Sequence, residues 1–168
     1  MNRFLKGLAI VVLLITVAGA GAVLYAMTMF EPKVVSVTAA ATPAVQVQDT
    51  FDAVVEQTQL GTFTGRQFAD TDGLDAQRCT FLTYTLRLEN KGFFPAEWIM
   101  MDVQPQQSNI SRDILQLGDT QARVLNAGSQ GDLTATILCE GDASDMARQL
   151  KVTCYVFGQR VEFSVQAQ

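Results

Sequence analysis

One uncharged run constrains this chain more than any other feature. From Gly7 to Phe30 it reads GLAIVVLLITVAGAGAVLYAMTMF, 24 residues without Asp, Glu, Lys or Arg. An α-helix rises about 1.5 Å per residue, so about 20 residues cross the ~30 Å hydrocarbon core of a bilayer. Lipid offers no partner for backbone N–H and C=O groups, so a run of this kind must be helical there. Tyr25 near its far end suits the aromatic belt of a membrane interface.

Charge at the two flanks predicts an orientation. Arg3 and Lys6 precede the run, whereas Glu31 offsets Lys33 beyond it. The positive end should stay in the cytoplasm and the rest of the chain should be exported. The expected organisation is a cytoplasmic basic segment over 1–6 and a transmembrane signal-anchor helix over 7–30. A stalk over 31–44 and an extracytoplasmic domain over 45–168 follow. That makes a single-pass plasma-membrane protein whose first partner is the bilayer, through residues 7–30. A secretory signal peptide is the alternative, because Ala18-Gly19-Ala20-Gly21-Ala22 offers small-residue cleavage sites and would release the domain. Against cleavage, the apolar run continues through Val23, Leu24, Tyr25, Met27, Met29 and Phe30. Ala18, Ala22 and Ala26 recur every four residues, a spacing that lets a second membrane helix approach closely.

Beyond the anchor the chain is acidic. Val34 to Gln168 holds nine basic and 16 acidic residues, a net charge of −7, against −5 for the whole chain. Such a domain repels nucleic acid and anionic lipid headgroups, and no basic patch interleaved with aromatics offsets this.

Chemistry is sparse. The chain has no histidine, which removes the commonest general base and metal ligand. Cys79, Cys139 and Cys154 lie in the exported part, where disulfides are permitted. Three is odd, so at least one thiol stays unpaired or pairs between chains. Cys139 and Cys154 could face each other across neighbouring strands, and Cys79 could pair with either. The absence of a CxxC spacing argues against zinc and thioredoxin-type chemistry. In ADTDGLDAQ, residues 69–77, Asp70, Asp72 and Asp75 surround Gly73 and make a calcium candidate. The loop departs from the EF-hand pattern, because Cys79 stands where a bidentate Glu is needed. A solvated Asp/Gly turn explains the same residues. Asp142 and Asp145 form a carboxylate pair, but no nucleophile elbow or phosphate loop accompanies it. The expectation is a non-enzyme without a cofactor. Asn109-Ile110-Ser111 spells a glycosylation sequon.

The remaining pattern is strand-like. Leu82, Tyr84, Leu86 and Leu88 alternate with Phe81, Thr83, Thr85 and Arg87, so the first set should face a core. Further strands are expected over 97–103, 113–117, 120–125, 131–138, 149–157 and 160–166. Val45–Val47 should begin a first strand, and 62–68 is a weaker candidate. Residues 52–57 fit a strand or a short helix, and no convincing soluble helix stands out. Gly158-Gln159 should close the last hairpin as a type II′ turn. Seven or eight short strands without helical crossovers predict an all-β, antiparallel two-sheet, Ig-like sandwich.

The stretch TYTLRLENKGFFPAEWIMMDV followed by VLNAGSQGDLTATIL resembles bacterial and archaeal CARDB and FxLYD-type Ig-like domains. The resemblance rests on Asn90 and Gly92 ending one strand, on Trp98–Val103, and on Gly128 before Leu133–Leu138. It implies a sandwich and a role in extracellular contacts, with no catalytic residues, and fold alone does not fix function. Trp98 is expected between the sheets, as sandwich cores require. Of Phe93 and Phe94, neighbours on a strand connection, one should point outward and offer a contact surface. The expected function is a structural or protein-interaction role at the cell envelope, with an envelope protein as partner. A ligand- or calcium-binding sensor or adhesion module is the alternative.

Overall fold

The chain is described here by a computed structural model, which covers residues 3–28, 32–106, 111–118, 123–141 and 146–167. Helix α1 spans Arg3–Thr28, and none of its described side chains is buried. Its Leu5–Tyr25 stretch is long and apolar enough to cross a membrane.

Among the described residues nine strands follow: β1 (Pro32–Pro43), β2 (Arg66–Gln67), β3 (Cys79–Asn90), β4 (Ala96–Val103), β5 (Ser111–Gln116), β6 (Arg123–Leu125), β7 (Gln130–Gly141), β8 (Arg148–Val156) and β9 (Gln159–Ala167). They build two antiparallel sheets, ordered β1-β3-β7-β5-β2 and β6-β4-β8-β9. The expected sandwich is therefore present. Between the sheets lie Leu82, Tyr84, Leu86 and Leu88, as their alternation predicts, packed with Ile99, Met101, Val103, Leu133, Ile137, Leu150 and Val152.

Most of the segment read as a stalk is no linker: residues 32–43 are β1, paired with β3 from Pro32↔Asn90 to Pro43↔Thr80. A register shift between Val34 and Ser36 breaks the alternation, which is why the segment does not read as a strand. The sandwich thus begins at Pro32, with only three residues between it and Thr28.

A soluble helix is also present. Helix α2 (Gln48–Gln59) follows a 3₁₀ turn over Ala44–Val47, where a strand was expected to begin. Phe51, Val54 and Val55 share its inner face at i, i+3 and i+4, and Asp49 in the first turn suits the helix dipole. This face covers the outer side of the five-stranded sheet against Phe81, Ile114, Leu115 and Leu138. That cover explains why β3 is buried on both faces over its first residues. Of the weak candidate over 62–68, only Arg66–Gln67 pairs, with β5.

Two buried polar devices tie the sheets together. The Arg148 guanidinium donates from Nε and Nη2 to both Asp113 oxygens, at 3.0 and 2.9 Å, with side chains 1% and 0% exposed. Arg148 Nη1 also donates to Gln106 Oε1 and the Ala147 carbonyl, and Gln106 N–H donates to Asp113 Oδ2. Buried Gln116 on β5 accepts from Val103 N–H and donates to the Met101 carbonyl of β4.

Candidate interaction surface

The surface is built outward from one buried asparagine. Asn90 ends β3 with no exposure. Its Nδ2 donates to the Phe94 and Leu125 carbonyls, and its Oδ1 accepts from Gly92 N–H. Asn90 N–H donates to the Ser129 carbonyl, and Gly128 N–H donates to the Asn90 carbonyl. One side chain and its backbone therefore lock the β3–β4 loop to the β6–β7 turn.

On that loop Phe93 points into solvent, 75% exposed, while Phe94 turns inward and packs on the core. The Phe94 ring meets the Phe157 ring edge-on, with centroids 4.6 Å apart. Phe157 sits at the tip of the β8–β9 hairpin and is 51% exposed. Val156 pairs with Gln159, so the loop is Phe157-Gly158 rather than Gly158-Gln159. Both loop residues have positive φ, 51° and 72°, a type I′ rather than a type II′ turn.

Trp98 lies beside this tip, not between the sheets. A bulge between Ala96 and Ile99 inserts one residue into β4, so the inward set becomes Ala96, Ile99, Met101 and Val103. Trp98 adopts φ 51° within the bulge and is 61% exposed. With Glu97, Met100, Tyr155 and Gly158 it lines a shallow groove. Phe93, Phe157, Trp98 and Met100 are thus exposed apolar side chains toward a single end of the sandwich. Sequence alternation missed Trp98, because nothing in EWIMM announces the bulge.

The other candidate residues fall elsewhere. Asp70, Asp72 and Asp75 do not gather: among the described residues no group of three or more Cys, Asp or Glu could hold a metal ion. Asp70 Oδ1 accepts from Asp72 N–H, and Asp75 Oδ1 accepts from Gln77 N–H, so two of these carboxylates shape the turn. Cys79, Cys139 and Cys154 are free and buried. Cys79 lies under α2 and Cys139 between the sheets, while Cys154 belongs to the opposite sheet, so Cys139 and Cys154 are not on neighbouring strands. Burial pushes all three thiols up to about 11, which keeps them protonated and unreactive at neutral pH. Ala18 and Ala22 are exposed on α1, and the Ala26 side chain lies outside the described residues. Asn109 of the sequon lies outside them too, as do Asp142 and Asp145.

Surface charge is paired across strands. Arg87 and Asp132 face each other on β3 and β7 with two 2.7 Å hydrogen bonds, which hold the Asp132 carboxyl below its usual value. Lys151, with Arg160 beside it, does the same for Glu162. No family model matches the chain, and no curated protein matches it.

Proposed function

We propose that this is a single-pass membrane protein that displays its β-sandwich outside the cytoplasm, where it has a structural or protein-interaction role at the cell envelope. The observation that carries this reading is the short join between α1, long and apolar enough to span, and β1, with three residues between them. With α1 in the bilayer, so short a join would hold the sandwich at its surface, within reach of other envelope proteins. Arg3 and Lys6 before the span support an inside N-terminus. The buried, unreactive thiols and the dispersed carboxylates of the 69–77 loop favour a contact role over a catalytic or calcium-binding one.

The test is protease shaving of intact cells stripped of outer barriers, with in-cell crosslinking in parallel. External protease should remove the sandwich and leave α1 in the membrane, and crosslinking should trap a defined envelope protein. A sandwich protected until the cells are lysed would refute the orientation. Crosslinking that traps no discrete partner would refute the interaction role.

A further inference from the structure

The exposed aromatic patch lies at the end of the sandwich that the anchor holds. Pro32 opens β1 opposite Asn90, the last residue of β3. Asn90 holds the loop of Phe93 and Phe94, the Phe94 ring touches Phe157, and Gly158 borders the groove of Trp98. Strand register, a hydrogen bond, a ring contact and a shared groove thus put the aromatics and the entry point of the chain at one end. From Thr28 to Pro32 the chain can stretch at most about 14 Å. An end tethered that closely to a spanning helix must sit at or near the headgroup layer.

Chemistry at this end matches that layer. Trp and Phe are side chains that settle at membrane interfaces, where a ring is partly desolvated and its rim stays wet. Charge is also unevenly placed. Lys33, Lys91 and Arg160 accompany Glu89 and Glu97 here, so this end does not carry the acidity of the domain. The acidity collects toward the opposite end and the α2 layer, with Asp49, Asp52, Glu56, Asp70, Asp72 and Asp75. An acidic far end is repelled by anionic headgroups, and the near end is not.

We propose that Phe93, Phe157 and Trp98 form a membrane-docking end that inserts into the interfacial layer of the same bilayer that α1 spans, holding the sandwich in one fixed pose upon it. The partner is a lipid surface, and the docking rests on α1 being retained as an anchor.

Trp98 is the chain's single tryptophan, so it reports its own depth. The full-length protein is reconstituted in vesicles of phosphatidylcholine with a minor share of phosphatidylglycerol. Trp98 emission is then measured with lipids brominated near the headgroup or deep in the tails, and with aqueous acrylamide. Retention of the chain through alkaline carbonate extraction is scored in the same samples. Docking predicts retention together with roughly twofold quenching by the shallow bromines, little by the deep ones, and shielding from acrylamide. The variant pair F93S and F157S, made together, should restore acrylamide access while the chain stays in the pellet. Retention with a fully water-exposed Trp98 overturns the docking and leaves the anchor standing, the patch then being free for a protein. Release by carbonate overturns both.

Discussion

Removing Asp113 should unlock the sandwich from inside. The Asp113→Ala change leaves the Arg148 guanidinium buried, with Nε and Nη2 deprived of their acceptors at 3.0 and 2.9 Å. Nη1 keeps Gln106 Oε1 and the Ala147 carbonyl. The Gln106 N–H loses its acceptor as well. Stranding one partner of a fully buried pair costs about 3–5 kcal/mol. A domain of this size is stable by about 5–15 kcal/mol, so a fifth or more of its stability is at stake. At roughly 3–5 °C per kcal/mol, the melting temperature should fall by about 10–20 °C. The assay is urea unfolding of residues 32–168 followed by far-UV circular dichroism, with the Asp113→Leu/Arg148→Met double variant beside it. Replacing both charges with apolar groups of similar reach removes the stranded cation, so the double variant should recover most of the loss. A loss below about 1 kcal/mol for Asp113→Ala would refute the reasoning, because the guanidinium would then have found water or another acceptor. So would a double variant as unstable as the single one.

Gly65→Ala should disrupt the β2–β5 edge, because its new Cβ would lie 2.0 Å from the Gln116 carbonyl oxygen; thermal unfolding would register a lower midpoint. Stability should be full below about pH 9 and decline toward pH 11, since unfolded thiols ionise near 9 while the buried ones hold their protons to about 11. Alkaline denaturation of the wild type against a Cys139→Ala/Cys154→Ala variant checks this, and the variant should show the shallower decline. Arg87→Gln should raise the depressed Asp132 carboxyl toward its ordinary value, read by NMR titration; the pair's small contribution, present above that value, is lost as acid titrates Asp132. Phe157→Asn should stabilise the hairpin by up to about 1 kcal/mol, since Asn-Gly suits a type I′ turn better than Phe-Gly, and urea midpoints would detect it.

The sheet faces were legible wherever the strand alternation was unbroken. Leu82 to Leu88 and Val161 to Val165 carry it without interruption, and both strands lie where the pattern puts them. Legibility failed where one residue changes the phase. The shift at Val34/Ser36 hid β1 inside an apparent stalk, and the one at Ala96/Ile99 turned Trp98 outward. Helix α2 was obscured for another reason: only Phe51, Val54 and Val55 mark its buried face, and polar residues and Ala53 fill the rest of its 12 positions. The Arg148–Asp113 pair gave no local signal at all, because 35 residues separate partners that only the stacking of two sheets brings together.

The bulge that concealed Trp98 also says something about selection at this end of the fold. Elsewhere positive φ falls on glycine, at Gly61, Gly73, Gly128 and Gly141, where no side chain meets the strain. Among the described residues the two exceptions are Trp98 and Phe157, both large, both more than half exposed, both next to the same groove. Neither site gains much burial from its ring, and Gly or Asn would relieve the backbone at each. Local propensity and local structure therefore conflict at two neighbouring positions on the end that joins α1. A conflict of this kind marks a site kept for something other than stability. A water-facing role would reward smaller polar residues there, whereas contact with a bilayer rewards the rings that are present.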